Sequence, residues 1–429
     1  MTDLADVNYF ADEAITQNPY EYFDFLRAQG PVTREPHHGV VAVTGYHEVM
    51  AAFKDHGTFS AVNAIGGPFP PLPFEPVGDD ISELIEAHRH QFPIAEHMVV
   101  MDPPHHEKAR SLLAKLLTPR RLQENEDYMW QLADHQLDTF LARGRCEFLA
   151  DYAKPFATSA IIDLLGVPAE DRGEFLAALG AGAVKHDGDR VGALDGEPVG
   201  LDPLRYLDER FAGYLAERRR DPRDDVLSGM AGASYPDGSI PPIAEVVKPA
   251  TFLFAAGQET VTKLLSAAVQ TLGDRPEYQR QLRENPKLIP AFIEESLRMH
   301  SPTKVDFRLV RTTTTFAGVE LKAGTVVMLC LAAANRDPAK FENPHEFRLD
   351  RKNVREHLAF GRGIHTCAGA PLARVEGQIT VRRLLERTRD IGIDASVHGD
   401  PGQRHYDYVP TFLLRGLTEL HLEFTPKDH

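Results

Sequence analysis

HLAFGRGIHTCAGAPLARVE, residues 357–376, decides how the rest of the chain is read. Its cysteine, Cys367, is one of only three in 429 residues. Gly361 and Gly363 precede it and Gly369 follows, so the backbone can turn sharply and approach a flat ligand closely on both sides. Pro371 suits a first helical turn, and LARVEGQITVRRLLERT continues as a helix. Cys367 therefore lies beside a helix N-terminus, where the dipole and free amides favour a thiolate, a good axial metal ligand. Two readings compete with this one. A cysteine before a helix can be a small buried hydrophobe. It can also pair with His365 for acyl transfer, although two residues of separation in a turn rarely bring an imidazole onto the sulfur.

The remaining cysteines, Cys146 and Cys330, are far away and form no CxxC pair, so a disulfide framework is not expected and a reducing cytoplasm fits. Hydrophobic residues make up 42% and charged residues 26%, enough apolar material for a large core. A formal charge of −16 argues against nonspecific nucleic-acid binding and against docking on an anionic membrane. The start, MTDLADVNYFADEAITQNPY, has no basic segment or apolar run, so neither a secretory signal nor a membrane anchor is expected.

Along the chain, NPYEYFDFLRAQG reads as a helix closed by Gly30, and PVTREPHHGVVAVTG as two short strands about Gly39. Residues 60–101 are rich in Pro, Gly and Phe around a helical insert, DISELIEAHRHQF. A second irregular stretch, KHDGDRVGALDGEPVGLDP, lies between two helices, and the two together suggest a lid. From residue 104 to 300 the pattern is otherwise helical. Its longest segment, Ile243–Gly273, would span roughly 45 Å and must cross the interior. Pro249 within it predicts a kink or a late start. Short strand signals, TFAGVELKAGTVVMLC and LTELHLEF, fall in the C-terminal third. The expectation is one mainly α domain with small β-sheets over residues 1–429, with no separate reductase domain.

FGRGIHTCAG resembles the haem-binding loop of the cytochrome P450 family, written FGxGxHxCxG in bacterial members. The resemblance implies that Cys367 is the proximal ligand of a haem b iron. Its thiolate would push electron density onto the metal and favour O–O cleavage. It places Phe360, Gly361, His365 and Gly369 around the haem, buried between the long helix and the helix after the cysteine. FAAGQETV is similar to the family's oxygen-binding segment, with Ala256 and Gly257 leaving a groove, Thr260 holding water or dioxygen, and Glu259 linking to solvent. Outside that context an acid and a threonine on a helix are an exposed charge and a back-bonded hydroxyl. DPPHHEKAR resembles DPPxHxxxR, whose His and Arg hold haem propionates, here His106 and Arg110. Arg308 and His365 match further propionate positions. IEESLR matches ExxR, which implies a buried triad of Glu295, Arg298 and Arg351, although Arg348 stands where the family often has an acid or amide.

The resemblance implies a soluble, monomeric, cytoplasmic monooxygenase that uses O2 to hydroxylate or epoxidise a hydrophobic small molecule. Electrons would come from a ferredoxin and an NAD(P)H-dependent reductase docking near Lys108, Arg110, Lys115, Arg362 and Arg374. Neither nucleic acid nor a membrane anchor is expected. By family position the pocket draws on the loop before Met101, the region around Leu179–Val184, Phe252–Ala256, Val305 and Thr411–Leu413. Lys304 and Asp306 are further candidates to receive a polar end of the substrate. A haem carrier or sensor without turnover, and a peroxide-driven oxygenase, remain the alternatives on the same fold.

Overall fold

Apolar residues recur at helical spacing from Leu112 to Leu385, and the helices they form bury that stripe against one another in one large cluster. A computed structural model describes residues 4–114, 116–180 and 202–427, the side chains of 178–180 and 202–204 excepted. Lys115, Val184 and residues 185–201 of the second irregular stretch fall outside it, as does the side chain of Leu179. The fold is mainly helical with small sheets.

The long helix, Ile243–Asp274, runs through the centre and is buried without a break from Val261 to Gly273. It packs on helices Lys154–Leu164 and Asp202–Arg220 and on the helix after the cysteine, Ala370–Arg387. The late start expected from Pro249 does not occur. The helix begins at Ile243 and carries the proline buried inside it. Packing on several sides offsets the missing N–H at one turn.

Strands β1 (Val32–Arg34), β2 (Val41–Val43) and β3 (Phe59–Ser60) lie among the first short helices; β4 (Arg145–Glu147) interrupts the helical middle of the chain; β5 (Asp306–Val310), β6 (Thr314–Phe316), β7 (Val319–Leu321), β8 (Val326–Leu329), β9 (Thr388–Ile393) and β10 (His421–Pro426) fall in the last third. The main sheet has the order β1-β2-β8-β5-β3, so strands from both ends of the chain share it. β1 and β2 are antiparallel about Gly39, whose φ of 66° needs a glycine. β4 was not foreseen in a stretch read as helical. It is three residues long, and its partner is β10 near the other end of the chain.

Under the cysteine loop, Glu295 and Arg298 form a fully buried pair with two contacts of 2.8 Å. Arg351 adds Nε to Glu295 at 3.1 Å, as the ExxR pattern implied. Arg298 also donates to the carbonyls of Asn335, Pro344 and Glu346, so the guanidinium stitches two segments to its helix. Arg348 contributes its backbone N–H to Glu295 at 3.0 Å, and its side chain turns outward to Asp350. Among the described residues, no helix is long and apolar enough to cross a membrane.

Candidate active site

Gly361 and Gly363 adopt φ of 62° and 71° and turn the chain into the cysteine loop. Gly363 is needed for a second reason: a Cβ there would lie 2.3 Å from the Phe53 carbonyl oxygen, where the loop rests on helix Tyr46–Lys54. Its close approach is thus to protein, not to a ligand. Gly369 has an ordinary φ of −79°, so the sharp turn expected on both sides of the cysteine exists only on one. A Cβ at Gly369 would sit 4.0 Å from the Cys367 sulfur and 3.9 Å from Leu253. The Cys367 N–H donates to the Phe360 carbonyl at 2.9 Å, which fixes the loop.

Cys367 opens into a cavity of about 610 Å³. Burial pushes its thiol above the usual range, while the amides of Gly369 and Ala370 and the charges of Arg110 and Arg374 pull it down. The helix N-terminus alone therefore does not outweigh desolvation. A coordinated cation would, because it ionises a thiol outright.

The same cavity is lined by the turn of the long helix that carries Ala256, Gly257, Glu259 and Thr260. A Cβ on Gly257 would touch only Ile161, at 3.8 Å, so the helix leaves open space there. The Thr260 hydroxyl donates to the Ala256 carbonyl at 2.8 Å, and Glu259 forms an ion pair with Lys263. These are the local contacts of an ordinary helix, and what sets the two residues apart is the cavity they face.

Arg110 and His365 lie on the cavity wall, and His106 and Arg308 are buried behind it. The rings of His106 and His365 are 4.4 Å apart. Both nitrogens of His106 and Nε2 of His365 are buried without a hydrogen-bond partner. Burial, helped by nearby arginines, lowers His106 to about 4 and His365 to about 2. Arg110 donates to the Thr366 carbonyl at 2.9 Å, and Arg308 to Asp306 at 2.8 Å. Orphaned buried imidazole nitrogens are costly, and two carboxylates placed here would satisfy them. A thiol on one wall, an apolar slot and this donor set at its edge fit a haem with its propionates.

Other expected positions divide. Phe252, Leu253, Ala255, Val305 and Leu413 line the cavity, as does the 60–101 segment through residues such as Phe69, Ile94 and Met98. Thr411 and Phe412 do not, and Leu414 does. Lys304 is turned away from any ligand, because its ammonium is buried on the carbonyls of Thr16 and Thr411. Asp306 remains on the wall, beside Arg308, and burial raises its carboxyl.

Of the cations expected to dock a partner, Arg110 points inward. Arg374 is spent on Glu294 at 2.6 Å, over the Phe360 ring at 4.7 Å. Arg362 donates to the carbonyls of Arg355 and His357, and Lys108 lies 5.5 Å from the Tyr235 ring. Glu294 also meets His357 at 2.9 Å, and the hydrogen bonds from His357 and Arg374 together hold its carboxyl at about 2 against the effect of burial.

Sequence reasoning passed over Glu376, a cavity-lining acid with one unpartnered oxygen, whose carboxyl burial pushes well above the usual range. It also passed over Lys263, although its i, i+4 spacing from Glu259 was readable.

Residues 206–389 match the family model described as Cytochrome P450. The chain is 34% identical to Cytochrome P450 144 of Mycobacterium tuberculosis, over 98% of this chain and 92% of that one. It is 32% identical to the vitamin D(3) 25-hydroxylase of Pseudonocardia autotrophica, over 96% and 95%. Among solved structures, substrate-free cytochrome P450 CYP150A6 of Mycobacterium marinum superposes with a TM-score of 0.93 at 56% identity, covering 99% of this chain and 100% of that one.

Proposed function

The chain belongs to the cytochrome P450 family of haem-dependent monooxygenases, and from that membership we propose that it oxygenates a hydrophobic small molecule at the cavity shared by Cys367 and the Gly257–Thr260 turn. When bound, haem activates dioxygen with two electrons and two protons, so that one oxygen atom enters a C–H bond or alkene and the other leaves as water. Cys367 supplies the iron ligand. Arg110, His365, His106 and Arg308 hold the propionates, with each unpartnered imidazole nitrogen gaining an acceptor or donor. Ala256 and Gly257 keep the helix wall thin, Thr260 presents a hydroxyl that can leave the Ala256 carbonyl for a water, and Glu259 relays protons to it.

Phe69, Ile94, Met98, Phe252 and Leu413 give the substrate side an apolar surface that excludes water and favours a largely neutral ligand. Relatives of this chain include a structure solved with testosterone and one solved with a fatty acid on acyl carrier protein, both apolar. Electrons arrive from a ferredoxin and its NAD(P)H-dependent reductase in the cytoplasm, on the face below the cysteine loop, where Lys108 and Arg362 remain as cations.

The observation that carries this reading is one cavity bounded by a single cysteine sulfur and by the Gly257–Thr260 turn. Purified protein reduced with dithionite and exposed to carbon monoxide gives the strongly red-shifted Soret band of thiolate ligation, and Cys367→Ser loses it. A band of the imidazole type, or one unchanged in Cys367→Ser, removes the foundation. In the same cuvette, steroids, terpenoids and fatty acids that fit shift the spin state, and polar compounds of equal size do not.

A further inference from the structure

Glu259 and Lys263 lie one turn apart on the long helix, with the acid N-terminal, the orientation that favours the pair. Glu259 is 30% exposed and faces the cavity; Lys263 is 6% exposed and stands behind it. A lysine on a helix ordinarily snorkels to solvent. Here its stem is folded under the C-terminal hairpin at Gly416, where a Cβ would fall 2.2 Å from Cγ and 2.9 Å from Cδ of Lys263. Gly416 is fixed in turn, since its carbonyl accepts the Val409 N–H at 2.9 Å. The path of the lysine is thus built by two elements. A buried ammonium needs compensating charge, and the Glu259 carboxylate supplies it here, so the pair constrains Glu259 as well as Lys263.

We propose that Lys263 is a positioning residue for proton delivery, holding the Glu259 carboxylate at the cavity wall beside Thr260 through a channel that Gly416 leaves open. Glu259 takes a proton, passes it toward the Thr260 hydroxyl and returns to the carboxylate. Lys263 keeps its own proton throughout and sets where the carboxylate waits. The inference rests on Glu259 and Thr260 being the proton pair, and the test separates the two claims.

Lys263→Met, Lys263→Arg, Gly416→Ala, Glu259→Gln and the double variant Glu259→Gln/Lys263→Met are each first checked for the thiolate-type carbon monoxide band. Product formed per NAD(P)H, the solvent deuterium isotope effect on turnover, and the C–O stretching frequency of the ferrous carbon monoxide complex are then measured. Lys263→Met and Gly416→Ala lower coupling roughly threefold or more, raise the isotope effect and move the C–O stretch, whereas Lys263→Arg stays near wild type. The double variant is no worse than Glu259→Gln, because both changes remove one device. If Glu259→Gln uncouples and Lys263→Met does not, the role of Lys263 is overturned. If Glu259→Gln also leaves coupling unchanged, the proton pair itself fails and takes this inference with it. Gly416→Ala reports on the same device with Lys263 chemically intact, so a Lys263→Met protein that does not fold leaves the claim testable.

Discussion

Thr260 spends its hydroxyl on the Ala256 carbonyl, a bond that its own helix offers and that costs little to exchange for one to water. Thr260→Ala is expected to leave haem binding intact while product per NAD(P)H falls on the order of tenfold, with the missing electrons recovered as peroxide or water. Unchanged coupling would take Thr260 out of proton delivery. His106 gives a prediction for the haem-free protein. Its folded value of about 4 lies below the ordinary 6.5, so between these pH values the unfolded chain binds more protons, and stability falls as pH drops through the window. Urea unfolding at pH 7 and pH 5 reads this directly. His106→Phe lessens the dependence and leaves the part due to His365, and loading with haem, whose carboxylates favour the charged imidazoles, lessens both parts. A slope the same in both would place the effect elsewhere.

At the scale of elements, the Glu295–Arg298–Arg351 triad ties the helix Ile289–Met299 to the loops leading into the cysteine segment. Removing Arg298 strips two contacts from the buried Glu295 carboxylate, leaving it only Arg351 and a backbone N–H, and takes the donor from the carbonyls of Asn335, Pro344 and Glu346. Arg298→Met is therefore expected to cost about 3–5 kcal/mol, measured by denaturant unfolding, and to lower the yield of haem-loaded protein. A loss below about 1 kcal/mol would mean that the loops are held without it. The pairing of Glu295 with Arg298 was legible from their spacing. The third contact to Glu295, from the backbone of Arg348, was not, because a main-chain donor leaves no mark in residue type. The same blindness hid β4, whose three residues acquire a strand geometry only from β10.

Over the whole molecule, Lys248 on the long helix meets Glu96 of the 60–101 segment at 2.7 Å and Asp208 of the helix Asp202–Arg220 at 2.6 Å. Nearby, His97 packs its ring on Phe252, which lines the cavity. One ammonium thus joins three elements beside the chamber. The other end of the 60–101 segment is rooted by Phe69, which contacts Phe10 and Phe412 in an aromatic cluster linking the two chain ends. Lys248→Met frees the segment at one end only. Apolar ligands that shift the spin state are expected to enter and leave faster in that variant, with the change seen by stopped-flow absorbance. Equal rates would show that the clamp does not limit access.

The motifs on which the proposed chemistry rests are local and readable in order along the chain: an acid and threonine in the longest helix, ExxR after it, and a cysteine between glycines before a helix. The sequence also determined the mainly helical class, since apolar periodicity is a local property. Tertiary structure alone decided which groups are left in need. His106 and His365 lack partners because two distant segments bring their rings together in a place where protein supplies no acceptor. Lys304, which looked available to a substrate, is consumed by carbonyls of the N-terminal and C-terminal segments. Lys263 is buried because a glycine far along the chain makes room for it. Desolvation and partnership are set by what packs against a residue, and contacts between distant parts of the chain leave no periodic signal to read.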